Sequence, residues 1–144
     1  MGYEVETISV DGRVTALGSA GQYTLVIDRP PEAGGHGLGF NGGQLLNLAV
    51  TACISNDLFR EAARLGIQVH RIRVTAHSEY GGRPTVSGPI DYEVEVDGDA
   101  PAERLAELVH LVDRVAEIPN SLRAGTQVRL AGAHVNGTSV ARPS

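Results

Sequence analysis

The run Asn41-Gly-Gly-Gln-Leu-Leu-Asn-Leu-Ala-Val-Thr-Ala-Cys53-Ile-Ser-Asn-Asp-Leu-Phe-Arg60-Glu-Ala-Ala-Arg-Leu-Gly66 decides how this chain folds. It reads as one long helix. The Asn41 side chain can accept a hydrogen bond from a first-turn N–H, and Gln44 stands where a capping box needs it. Gly66 suits the left-handed residue that closes a helix, with apolar Ile67 behind it. Such a helix is about 35 Å long at 1.5 Å per residue. From Leu45 to Ile54 only Asn47 and Thr51 interrupt an apolar surface, so this half is expected to be buried nearly all round. From Ser55 onward the pattern turns amphipathic. Leu58, Phe59, Ala62 and Leu65 are assigned to one face; Asn56, Asp57, Arg60, Glu61 and Arg64 to the other. Cys53 points toward the side that turns polar, a reasonable seat for a reactive thiol.

Working outward, 144 residues suffice for one domain with a core, taken as 1–144. There is one cysteine, so no internal disulfide forms, and a reducing cytoplasm is the expected location. No apolar run approaches a membrane span, and the N-terminus lacks a secretory pattern. The net charge of −5 argues against nucleic-acid binding. All twelve basic residues are arginine, which excludes a Schiff-base or phosphate-loop lysine. Four tyrosines, two phenylalanines and no tryptophan make a base-stacking surface a poor expectation.

The flanks alternate strands and helices. Tyr3–Val10 and Arg13–Leu17 are expected to pair across Asp11-Gly12, a hairpin signal. Gly18–Gly21 is read as the next turn and Gln22–Ile27 as a third strand. Pro30–Gly43 is a loop. Its Gly37-Leu-Gly-Phe-Asn-Gly42 matches a dinucleotide fingerprint only formally, because Arg29-Pro30-Pro31 separates it from any strand. Gln68–Tyr80 and Thr85–Val96 are read as strands, the second with Tyr92, Val94 and Val96 on one side and Asp91, Glu93 and Glu95 on the other. A second helix is expected from about Pro101 to Glu117, stopped by Pro119, with an apolar stripe of Leu105, Leu108, Val109, Val112 and Val115. Thr126–Val135 is read as a last strand, followed by a frayed tail. The order βββ, α, ββ, α, β specifies an α+β fold.

Candidate chemistry centres on Cys53. It lies too far along the helix for the dipole to activate it. A cation is needed, and Arg60, seven residues on and on the same side, is one candidate; Asp57 would oppose a thiolate. A lone cysteine is otherwise an ordinary small hydrophobe. His36, His70, His77, His110 and His134 are scattered, and no metal or other cofactor is expected.

Asn41, Gln44, Leu45, Ala52 and Cys53 resemble the core of the osmotically induced and organic hydroperoxide resistance protein family (OsmC/Ohr). There an Asn-Pro-Glu-Gln-Leu run leads to Ala-Cys at the same spacing. Pro30, Glu32, Gly34 and Gly35 match its approach to the helix, and Ile118-Pro119-Asn120-Ser121 stands where it has Cys-Pro-x-Ser. The resemblance implies an intertwined homodimer with sheets wrapped around central helices. It implies reduction of hydroperoxides by Cys53 through a sulfenic acid, with an arginine favouring the thiolate. Arg13 is the family counterpart by position and Arg60 its rival. Two positions depart from the pattern: Ile118 replaces the resolving cysteine, and Gly43 replaces the glutamate that orients the arginine. The two resulting readings are a single-cysteine peroxidase served by an external thiol reductant, and a degenerate dimer that binds a small apolar ligand between subunits.

Overall fold

The structure is a computed structural model, and it describes residues 1–140 and Ser144. In chain order it contains β1 (Glu6–Ser9), β2 (Ala16–Ala20), β3 (Tyr23–Ile27), α1 (Gly42–Arg64), β4 (Val69–His77), β5 (Tyr80–Gly81), β6 (Val86–Ser87), β7 (Asp91–Gly98), α2 (Ala102–Val115), α3 (Glu117–Arg123), β8 (Ala133–Val135) and β9 (Thr138–Val140). All strand pairs are antiparallel and the helices pack on one face of the β4–β7 pair, so the fold is α+β.

Helix α1 begins and ends as its sequence dictates. Gln44 N–H donates to Asn41 Oδ1 at 2.9 Å and Asn41 N–H donates to Gln44 Oε1 at 3.0 Å, a complete capping box. At the far end Gly66 is left-handed (φ 66°), and Ile67 N–H donates to Ala62 O at 2.9 Å, closing a Schellman motif. Its inner face, Ile54, Leu58 and Ala62, forms the core with Ile67, Leu108, Val112 and Ala116. Val69, Ile72, Val74, Tyr92 and Val94 from β4 and β7 cover that core. The opposite face of this strand pair is wet, with Arg73 facing Glu95 and Arg71 facing Asp97. A bulge between Val69 and Arg71 restores Val69 and Ile72 to one face despite their odd spacing.

Several boundaries differ from the sequence reading. The turn after β2 is Gly21-Gln22, and Gly18 lies inside the strand opposite Leu25. The stretch read as Thr85–Val96 is two strands, interrupted at Gly88–Ile90. Pro119 does not stop the second helix. The chain turns extended at Ala116, and Pro119 occupies the first turn of α3, where a missing N–H costs nothing. Thr126–Val135 is a strand only from Ala133, and the segment after Asn136 forms the return strand β9 rather than fraying. Asn136 and Gly137 (φ 50° and 76°) make its tight turn. The final tail expected to fray, residues 141–143, lies outside the described residues.

The loop leading into α1 is held by Asp28, which is buried. Its carboxylate accepts hydrogen bonds from Arg29 N–H (2.8 Å), His36 N–H, Leu38 N–H and Thr15 Oγ1 (each 3.2 Å). Only glycine fits two positions of this loop: a Cβ on Gly35 would lie 2.0 Å from Arg29 O, and one on Gly39 2.2 Å from Val26 O. Of the glycines that mimic a nucleotide fingerprint, Gly39 serves close backbone packing, Gly37 takes a left-handed backbone (φ 68°), and a Cβ on Gly42 would meet nothing.

Burial alone would push the Asp28 carboxyl up, but its four donors outweigh that and lower it. A lowered folded-state value contributes stability above the unfolded value and loses it as pH falls through the folded one. Urea unfolding is expected to show wild-type stability level from about pH 7 to about pH 5 in this respect and declining below that, with Asp28→Asn less stable on the plateau and flatter toward acid. Identical curves for the two proteins would remove Asp28 from this role. In the core, Leu108→Ala is expected to cost about 2–5 kcal/mol in the same assay at fixed protein concentration.

Candidate active site around Cys53

Cys53 sits in the middle of α1, half-buried, with one side against the core cluster. This matches the expected boundary between buried and solvated surface. The polar residues beyond it depart from the expected wheel. Asp57 and Glu61 are only 6% and 7% exposed and lie on the inner face with Leu58, whereas Phe59 is 50% exposed. The simple division into an apolar and a polar face fails because α1 has apolar surface on two sides. Leu48 and Phe59 line the outer side, and the acidic pair is drawn inward at the edge of the core.

The two buried carboxylates hold Arg60. Its Nη1 lies 2.9 Å from Asp57 Oδ1 and its Nε 2.9 Å from Glu61 Oε1. Arg64 Nη1 adds a second cation 3.2 Å from Glu61 Oε1. The hydrogen bond from Arg60 lowers the Glu61 carboxyl despite burial, and the same bond raises the Arg60 guanidinium. The charges of Asp57 and of Glu117, at the start of α3, reinforce Arg60 further. Two carboxylates and two guanidiniums balance to zero within this cluster. Asp57 is incompletely satisfied: its Oδ2 is buried and has no hydrogen-bond partner among the described residues.

Helical geometry sets Asp57 one turn beyond Cys53, with Cβ atoms about 5–6 Å apart. Arg60 follows two turns on, and its side chain leans back toward the N-terminus. The structure therefore gathers Cys53, Asp57 and Arg60 along one edge of a rigid helix. Arg13 belongs to another part of the molecule. It is exposed on the β1–β2 turn, where its N–H donates to Val10 O at 2.8 Å. The sheet that carries it contributes nothing to the core against which Cys53 packs.

The two departures from the family pattern have structural correlates. A Cβ built on Gly43 would come within 3.2 Å of the Tyr80 ring and hydroxyl, so the phenol occupies the space a side chain would enter. Ile118 is partly exposed in the first turn of α3. A second polar cluster joins β7, α2 and α3. Tyr92 OH donates to Asp113 Oδ1, which also accepts from Arg123 Nη2 at 2.6 Å, while Arg123 Nη1 donates to Asp113 O at 2.8 Å. Burial and then the Asp113 hydrogen bond push the Tyr92 phenol up to about 12. This cluster fastens β7, α2 and α3 to one another, and sequence reading gave no hint of it, because its members are far apart in the chain.

His70 pairs with Asp99 (2.7 Å) and His77 with Glu79 (3.0 Å), both on the surface. Among the described residues, no group of three or more metal-binding side chains converges. Nor is any described helix long and apolar enough to cross a membrane.

The sequence model of the OsmC-like protein family matches residues 35–131. No curated protein sequence matches the chain. Among solved structures, an OsmC-like protein from Mycoplasma pneumoniae superposes with a TM-score of 0.75 at 15% identity, covering 88% of this chain and 90% of that one. The organic hydroperoxide resistance protein OhrB of Bacillus subtilis gives 0.62 at 19% identity, covering 87% and 93%. An organic hydroperoxide resistance protein OsmC from Legionella pneumophila gives 0.60 at 19% identity, covering 85% and 90%. At these identities the likeness is one of fold.

Proposed function

This chain belongs to the OsmC-like protein family, and we propose that it is a single-cysteine, thiol-dependent peroxidase that reduces hydroperoxides through Cys53. The observation that carries this reading is the arrangement on α1. Cys53 lies half-buried at the rim of the core, and Arg60 is fixed two turns away by Asp57 and Glu61. Arg60 is the preferred thiolate partner, because two carboxylates orient its guanidinium on the helix that bears the sulfur. Arg13 remains the counterpart by sequence position, reaching a sulfur only through association with a second chain. The sulfur attacks the peroxide, the O–O bond breaks, and Cys53 becomes a sulfenic acid while the peroxide becomes an alcohol. With Ile118 in place of a second cysteine, an external thiol must reduce the sulfenic acid. Such thiols abound in a reducing cytoplasm, where a protein with one free cysteine belongs.

The functional unit is a homodimer in this reading. Leu48 and Phe59 on the outer face of α1 are 45% and 50% exposed, and Ile8 and Leu17 on the β1–β3 sheet 60% and 45%. Apolar surface spread over a helix and a whole sheet favours an interface between copies over solvent exposure. A second reading is a catalytically degenerate dimer that binds a small apolar ligand. It is favoured by Tyr80 filling the space at Gly43, where the family pattern places the arginine's orienting glutamate.

Incubation with cumene hydroperoxide and a sulfenic-acid trap is expected to modify Cys53 stoichiometrically within the time a free model thiol reacts negligibly; Cys53→Ser should remain unmodified. Reaction no faster than the model thiol, and no turnover with several thiol reductants, decides for the ligand-binding reading. For assembly, sedimentation is expected to give twice the chain mass. Leu48→Glu with Phe59→Glu is expected to shift the population toward monomer, and a monomeric wild type would end the dimer reading.

A further inference from the structure

We propose that residues 127–132 of a second copy of the chain add a strand along the free edge of β7, seating Val128 and Leu130 in the groove between β7 and α2. The sheet formed by β4 and β7 has only two strands, so β7 has β4 on one edge and, among the described residues, no strand on the other. Helix α1 packs over β4 and α2 over β7. Between α2 and β7 an apolar groove of about 380 Å³ lies open, lined by Val94, Val96, Leu105, Ala106 and Val109. Val94 and Val96 are on the helix side of the sheet yet stay only half-buried. Unpaired backbone groups along such an edge are a template for another strand, and the groove beside them receives that strand's apolar side chains.

The chain itself supplies the occupant. Gln127-Val128-Arg129-Leu130-Ala131 alternates as a strand does, with Val128 and Leu130 on one side and Arg129 on the other. It belongs to no strand in the structure, and Val128 is 97% and Leu130 61% exposed. The segment leaves α3 through a fixed turn: Gly125 is left-handed (φ 68°), and Thr126 donates to Ser121 O through its N–H (3.1 Å) and its Oγ1 (2.9 Å). Held there, it runs into solvent instead of along its own β7, so its apolar side is offered to another molecule. Charge agrees with the fit. On the wet face of β7, Glu95 and Asp97 are matched by Arg73 and Arg71, whereas Glu93 stands opposite Thr75 and has no cation partner among the described residues. With Val128 and Leu130 turned into the groove, Arg129 emerges on that face, and among the described residues it too has no ion-pair partner. This inference rests on the homodimer reading and names the segment that clasps the second chain.

The test uses the full-length chain with Cys53→Ser, which leaves no native thiol. Arg129→Cys is combined in turn with Asp91→Cys, Glu93→Cys and Glu95→Cys, because side chains opposite one another on neighbouring strands are close enough to bridge. Air oxidation is expected to join two chains in at least one of these proteins. The product runs at twice the chain mass without reductant, and mass spectrometry maps the disulfide to position 129 and a β7 position. In the wild-type background, Val128→Asp with Leu130→Asp alters only exposed positions of its own chain. It is expected to raise the dissociation constant of the dimer at least about a hundredfold, the effect of two aliphatic side chains lost from an apolar groove. A disulfide formed within one chain overturns the inference, since the segment then closes on its own β7. A wild type that sediments as a dimer while none of the cysteine pairs joins two chains, or while the aspartate variant keeps the wild-type dissociation constant, removes the inference alone. A monomeric wild type removes the homodimer reading and this inference with it.

Discussion

Helix α1 carries more apolar circumference than the rest of its own chain covers. One side is sealed by α2, α3 and the β4–β7 pair, around Leu58, Leu108 and Val112. The other side leaves Leu48 and Phe59 in solvent, and the β1–β3 sheet likewise exposes Ile8, Leu17, Leu25 and Val26. Burial of such surface is worth about 25 cal/mol per Å², so in the proposed homodimer two chains would gain what one chain forgoes. The geometry of the cysteine follows from this constraint. Cys53 packs one side against the core and remains half-buried, at the seam where buried surface gives way to solvated surface.

The seam is also where charge enters. A buried ion pair is seldom a net stabiliser, because the loss of hydration offsets most of the Coulomb attraction. Arg60 keeps about half of its side chain in solvent while its two acidic partners are withdrawn. That division limits the desolvation cost on the cation and fixes its planar group by two separate contacts, as a guanidinium permits and an ammonium would not. The cluster thus trades little stability for a defined direction. A charge held in place on the sulfur's own helix moves with the sulfur, whatever the surrounding sheets do.

The parts of this architecture set by local rules were legible in the sequence. The capping box at Asn41, the Schellman end at Gly66, the turn at Asp11-Gly12 and the alternation in β7 each depend on a few neighbouring residues. The α+β class and the family followed from them and from the spacing of Asn41 to Cys53. What escaped were features that depend on distant contacts. Asp57 and Glu61 looked solvated because a helical wheel presumes one buried side, and α1 has two. Asp28 gave no sign of being a buried clamp, since its donors are mostly backbone groups up to ten residues away. Pro119 resembled a stop because a helix-breaking residue and a helix-starting one are the same residue. Only the extended Ala116 before it distinguishes them.

Tyr80 and Gly43 bear on how the chain departs from its family. A Cβ at position 43 would stand 3.2 Å from the Tyr80 phenol, tighter than an ordinary contact. The two positions touch: a side chain at 43 requires the half-exposed Tyr80 ring to give by a few tenths of an ångström. Ile118 is not coupled in this way, because its side chain is partly exposed on α3 and its replacement alters little around it. If an arginine is still to be aimed at Cys53 in this chain, its acidic partners must come from somewhere other than the start of α1. Asp57 and Glu61, one and two turns beyond the sulfur, are the carboxylates positioned to take that part.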